Sequence, residues 1–174
     1  MKYVHGIIVH QTDGASAQSA FDSYKNNSPN GAHFLIDKDG TVYQTASIFK
    51  KTRHVGKLKA RCLLQKKCTA TELAEYRHFN PSGMHKREMA KSFPNRFPSN
   101  EDSIGIELIG EALPHDNSVP EDKKVYETVT ASQNNSLKWL ISELTLALKV
   151  PMTEIFRHPQ ASWKNTTEAS TAQW

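Results

Sequence analysis

The stretch RHPQASWKNTTEASTAQW, residues 157–174, carries three groups able to do chemistry. His158 offers an imidazole, Lys164 an amine six residues later, and Glu168 a carboxylate ten residues later. Pro159 follows the histidine directly and argues against a helix running through it, so the three are expected to converge from a loop. A metal held there needs a further ligand, and His10, closing the first apolar run, is the candidate. Two histidines and a carboxylate with an open fourth position form a recurrent catalytic Zn2+ shell, but on these residues alone the stretch reads equally as a polar loop that happens to hold a histidine.

A second carboxylate sits in SIGIELIG, residues 103–110. Read as a strand, this segment puts Ile104, Ile106 and Leu108 on one face and Glu107 on the other. A lone carboxylate in such a strand is costly unless paired or used, so Glu107 is expected to be functional. His33 lies inside another β-prone run and has two readings, a hydrogen-bonded core histidine or a site residue.

The elements that must position these groups can be taken in chain order. Residues 3–9, YVHGIIV, are short and mostly apolar, predicting a buried central strand that leaves His10 at its carboxyl end. Asp13 is expected to cap a helix carrying Ala17, Ala20, Phe21 and Tyr24, and residues 27–31 read as a loop. GAHFLIDKDGTVYQ, residues 31–44, predicts a hairpin turning at Asp39-Gly40. Residues 69–72 have the capping-box pattern of a short helix, residues 79–100 read as an irregular surface insertion, and residues 111–124 as polar loop. Thr130 and Gln133 then open the clearest helix, striped with Leu137, Leu140, Ile141, Leu144 and Leu148 and closed by Pro151. Ile155 and Phe156 predict a last short strand that delivers His158.

Residues 40–71 contain no acid but eight cations: Lys50, Lys51, Arg53, Lys57, Lys59, Arg61, Lys66 and Lys67. Such a run is either a solvated face or a groove for a carboxylate-bearing ligand. It lacks the interleaved aromatics of a nucleic-acid groove, and the net charge of +4 demands no polyanion. Cys62 and Cys68 have no zinc-ribbon spacing; they are free thiols or, if the protein works outside the cytoplasm, a small disulfide. At 174 residues one domain is expected, with a basic insertion at about residues 60–100. No stretch is apolar enough for membrane insertion, and the N-terminus lacks the pattern of a signal peptide.

In this order, His10 closing an apolar strand, GAHFLIDKDGTVYQ, the RHVG of residues 53–56, SIGIELIG and the terminal His…Lys…acid resemble the zinc-dependent N-acetylmuramoyl-L-alanine amidases of the type 2 class. That superfamily also holds the peptidoglycan recognition proteins. The resemblance implies an α/β fold with a central mixed β-sheet flanked by helices. It implies His10, His158 and Glu168 as zinc ligands, Glu107 and Lys164 as catalytic residues, and His33, Arg53 and His54 as substrate contacts. Ala32 stands where phage lysins often place a tyrosine, which sides with the glutamate-using, wall-recycling branch. The usual tail is Lys-Thr-Asp or Lys-x-Cys; here Thr166 falls two after Lys164, and Glu168 keeps the ten-residue distance from His158.

The implied substrate is peptidoglycan or muropeptides, cut between the lactyl group of N-acetylmuramic acid and L-alanine. The implied setting is the cell wall, as a lysin or an effector injected by a type VI-like system, the latter with an immunity protein as partner. A cytoplasmic recycling amidase and a non-catalytic recognition module are the alternatives.

Overall fold

The computed structural model describes residues 1–25, 30–78 and 80–174, so residues 27–29 of the expected loop and Phe79 of the expected insertion lie outside the described residues. A five-stranded sheet runs through the centre in the order β3-β2-β4-β1-β7. Its strands are β1 (Gly6–Gln11), β2 (Phe34–Ile36), β3 (Val42–Gln44), β4 (Ser103–Leu108) and β7 (Ile155–Arg157). β1 pairs in parallel with β4 and β7, β2 pairs in parallel with β4, and β3 alone runs antiparallel. The sheet is therefore mixed, as expected. The antiparallel edge is the hairpin: Asp37 and Gly40 close the turn, with Gly40 at φ +92°, which a side chain would strain.

Alternation along β1 and β4 divides the sheet's two faces. Ile7, Val9, Ile104, Ile106 and Leu108 pack against helix α5 (Ala131–Leu148), whose Leu137, Leu140, Ile141 and Leu144 form its buried stripe. Thr130 caps that helix, with Gln133 returning the bond to the Thr130 N–H. The helix ends at Leu148, before Pro151, through Lys149 in the left-handed conformation. The opposite face carries Ile8, Val55, Leu58, Phe97, Phe156 and Ala161 as a second core, with α1 (Ala17–Tyr24) over Leu35. Helices on both faces are what a largely parallel sheet requires.

Several sequence expectations need correction. Tyr3 is exposed and the first strand starts only at Gly6. Ser16, not Asp13, caps α1; Asp13 adopts φ +54° and its carboxylate accepts from the Ala112 N–H. Aspartate tolerates that left-handed conformation better than most residues. His33 precedes β2 rather than lying in it. Residues 111–124 are not all loop, because β5 (Ala112–Leu113) pairs with β6 (Val125–Tyr126).

The segment expected to be irregular holds helix α4 (Pro81–Met89), capped by Asn80, with Met84 and Glu88 buried. Phe97 is fully buried, and so belongs to the core rather than the surface. α2 (Arg61–Gln65) and α3 (Ala70–Tyr76) precede it, and the disulfide Cys62–Cys68 ties them together. Proline and sparse periodicity hid this order because short capped helices carry little hydrophobic pattern.

Candidate metal centre and active site

Three strand ends and one turn build the site. His10 is the fifth residue of β1 and stands in register with Glu107 of β4. Both belong to the face away from α5 and line a cavity of about 730 Å³ at the carboxyl ends of the parallel strands, the place where open α/β sheets bind ligands. His158 is the first residue of α6 (His158–Ala161), directly after β7. The expected loop there is a one-turn helix; proline is tolerated in a first turn, where its missing N–H costs nothing. Glu168 comes from the turn that follows and is buried.

Oε1 of Glu168 lies 2.8 Å from Nδ1 of His158 and 3.5 Å from Nδ1 of His10. One ligand atom from each of the three falls within 4.8 Å of the others. The Val55 carbonyl, 2.9 Å from Nε2 of His158, can only accept, so that nitrogen carries the proton and Nδ1 faces the carboxylate. Burial first, then the neighbouring His158, lowers the pKa of His10 to about 4, so its ring is neutral at pH 7. Burial pushes Glu168 upward, but its bonds with His10 and His158 outweigh that and leave it at about 2, ionised.

Glu107 is different. Its Oε2 is buried without a hydrogen-bond partner. Burial, then the nearby charge of Glu168, raises its pKa to about 8, with Lys164 acting in the opposite sense. Lys164 is exposed at the cavity wall. The structure thus brings His10, Glu107, His158, Lys164 and Glu168 to one cavity.

The three residues expected to touch substrate separate. Arg53 is exposed and lines the cavity. His33 is fully buried and outside the cavity lining: Nδ1 accepts from the Gly105 N–H and Nε2 meets the Lys50 carbonyl. That is its hydrogen-bonded core reading. His54 borders the cavity but is buried, with Nδ1 against His10 and Nε2 against Ser103. Neither ring has a nitrogen left for a substrate. Of the eight cations in residues 40–71, Lys51 and Arg53 line the cavity.

Sequence reasoning missed Tyr24, Tyr126 and Asn100, which also line it. Asn100 accepts from the His54 and Val55 N–H groups and so holds the RHVG loop. Tyr24 was assigned to a helix stripe, yet its hydroxyl is buried without a partner; a phenol on an apolar stripe was a readable signal. Nothing in sequence marked Asn100.

Residues 1–171 match the model of the N-acetylmuramoyl-L-alanine amidase family. The chain belongs to that family. Amidase structures share its fold. AmiD from E. coli, in complex with the substrate anhydro-N-acetylmuramic acid-L-Ala-D-gamma-Glu-L-Lys, gives a TM-score of 0.59 at 14% identity, covering 91% of this chain and 49% of its own. AmpDh3 from Pseudomonas aeruginosa, in complex with anhydromuramic pentapeptide, gives 0.59 at 17%, covering 91% and 51%. A selenomethionine AmpD derivative gives 0.59 at 16%, covering 99% and 81%. This chain therefore spans about half the length of the first two. No curated protein sequence matches it.

The family implies zinc, and the residues present fit it. Two imidazoles and a carboxylate are a donor set suited to that ion. With the His158 Nε2–H donated to the Val55 carbonyl, Nδ1 and Oε1 face each other 2.8 Å apart, where a proton or a metal ion can lie between them.

Proposed function

We propose that this chain is a zinc-dependent peptidoglycan amidase, hydrolysing the amide between the lactyl group of N-acetylmuramic acid and L-alanine. One observation carries the reading. The converging His10, His158 and Glu168 share a cavity with Glu107, whose Oε2 is buried without a hydrogen-bond partner. A pure binding module has no use for a base in that condition.

Zinc held by His10, His158 and Glu168 supplies Lewis-acid polarisation of the scissile carbonyl and a more acidic water. Glu107 would accept the proton of the attacking water and return it to the departing amine of L-alanine, so the proton count closes. A carboxyl held at about 8 sits near neutral pH, where a group can serve in both directions. Lys164, at the cavity wall, meets the negative charge that develops on the carbonyl oxygen. Lys51 and Arg53 at the same cavity suit the carboxylates of a stem peptide.

The Cys62–Cys68 disulfide supports work in an oxidising compartment, as for a lysin or a secreted antibacterial effector. Digestion of purified peptidoglycan with zinc-loaded protein, read by mass spectrometry, tests the reaction. Stem peptides with a free L-alanine amine are expected. Binding to the wall without their release would favour the recognition module.

A further inference from the structure

The His54 ring has no assigned task, although it is buried against a proposed ligand. Its surroundings determine where every proton along one line of hydrogen bonds must lie. The Ser99 carbonyl can only accept, so the Ser103 hydroxyl, 2.5 Å away, donates to it. Ser103 Oγ then has only lone pairs to offer Nε2 of His54 at 3.2 Å, so that nitrogen carries the proton. Nδ1 of neutral His54 is therefore an acceptor, and His10, 2.9 Å away, donates through Nε2. What remains on His10 is the Nδ1 lone pair, the atom that faces Glu168.

We propose that His54 is a positioning residue. Through a chain running from the Ser99 carbonyl by way of Ser103, it holds His10 in the tautomer whose Nδ1 points into the metal centre. The inference rests on the metal reading above. It parallels the Val55 carbonyl, which does the same for His158 in one step. Both histidines consequently present the same ring atom. A metal-bound histidine whose other nitrogen is anchored is better oriented and more basic, and such anchors are worth 10–100-fold in metal affinity.

The fold makes room for this chain in two ways. Ser103, Gly105 and Glu107 alternate on one face of β4, beside His10 of β1. A Cβ at residue 105 would fall 2.6 Å from Nδ1 of His54, so only glycine leaves room for the ring there. Asn100 fixes the ring's own backbone from the other side. Ser103, the first residue of β4, is thus also the middle link of this chain.

The test uses the whole chain in three variants. His54→Leu removes the acceptor, His54→Asn keeps a short carbonyl acceptor in its place, and Ser103→Ala frees the tautomer while leaving the ring. Long-range 1H–15N NMR of metal-free wild type should show His10 protonated at Nε2. Ser103→Ala should show a mixture. Zinc affinity, by chelator competition, should fall 10–100-fold in His54→Leu and recover most of that in His54→Asn. Melting temperatures identify any variant whose loss is merely unfolding, and Ser103→Ala covers the case where His54→Leu does not fold. A wild-type His10 protonated at Nδ1, or a folded His54→Leu with unchanged zinc affinity, overturns the proposal. A wild type that shows the Nε2 tautomer yet binds no zinc supports the relay and overturns the metal reading instead.

Discussion

Two of the buried charge clusters in this molecule differ in what completes them. Arg61 and Glu154 meet through two parallel bonds, Nη1 to Oε2 at 2.8 Å and Nη2 to Oε1 at 2.6 Å. The guanidinium lies 5.5–5.8 Å from the centroids of Phe93, Phe97 and Phe156, and Nη1 also reaches the Arg96 carbonyl. Positive charge, negative charge and most donors are matched within the chain; the Arg61 Nε is the exception. At the strand ends, His10, His158 and Glu168 instead converge on one point, and Glu107 has a buried oxygen without a partner. His10, His158 and Glu168 are as deeply buried as Arg61 and Glu154. A buried polar cluster that closes on itself is architecture, whereas one that stays open needs a ligand, and only the second is worth its desolvation for chemistry.

The difference is broken most severely at Glu168. Anchors behind a ligand are worth 10–100-fold in affinity, so removal of the proposed ligand itself by Glu168→Ala should weaken zinc binding by more than 100-fold and abolish amidase activity. Metal analysis after dialysis checks it, and a fully loaded variant places the third ligand elsewhere.

Glu107→Gln separates the base from the ligands. Gln keeps the shape but cannot take a proton, so zinc should stay bound while turnover falls about 10²–10⁴-fold. Near wild-type cleavage would make Glu107 a structural residue. The same variant has a stability signature in metal-free protein. Wild-type Glu107 holds its proton to about pH 8 when folded, whereas a solvated carboxyl releases it near 4.5. The unfolded chain thus binds fewer protons across that window, and stability falls as pH rises from 4.5 to 8. Gln removes this slope. The variant should melt higher than wild type at pH 8 by an amount on the order of a few kcal/mol, and alike near pH 4. Parallel melting curves across that range would show the carboxyl to be solvated.

Much of this contrast was legible in sequence, and the rest had physical reasons for staying hidden. β4 was readable because alternation put Glu107 alone on one face, and α5 because its stripe and capping box agree. His10 was readable because a strand end in a parallel sheet is where ligands collect. The disulfide was readable only as one of two options. His54 was readable only as a substrate contact, because the positioning role proposed for it depends on Ser103 and Ser99, some forty-five residues away, and on a glycine whose only task is to be small. The Arg61–Glu154 pair spans 93 residues and left no local pattern, so Arg61 counted merely as one more cation in a basic run. Alternation and spacing report faces and ends; they do not report partners across the fold.

Arg61 tests the closed cluster. Arg61→Ala leaves Glu154 buried without a counter-charge, and should cost about 3–5 kcal/mol. For a chain of this size that lowers the melting temperature by roughly 6–20 °C. Replacing both, as Arg61→Met with Glu154→Leu, should recover most of the loss, because well-packed apolar residues substitute for a matched buried pair. Zinc affinity should be unchanged in the double variant. No double substitution of this kind should rescue the open cluster, and that asymmetry is the sharpest form of the comparison.

The smallest effect is expected at Cys62–Cys68. The bond closes a sequence separation of six and joins α2 to the residues before α3. A loop that short gives up little chain entropy on closure, so reduction should cost roughly 2 kcal/mol, less than breaking Arg61–Glu154. Both Leu63 and Leu64 on α2 are exposed, so loosening this turn removes little buried apolar surface. Arg61 at the start of the same helix is held separately, by Glu154 and by the carboxylate of Glu88, which accepts from the Arg61 N–H. Reduction should therefore loosen the turn between α2 and α3 without reaching β7 or His158. Denaturant unfolding with and without reductant measures the loss, and zinc competition under the same two conditions should give one affinity. A weakened affinity on reduction would show that the turn is coupled to the metal centre. In that event the disulfide would belong with the open cluster, as a part of the site whose completion depends on the compartment.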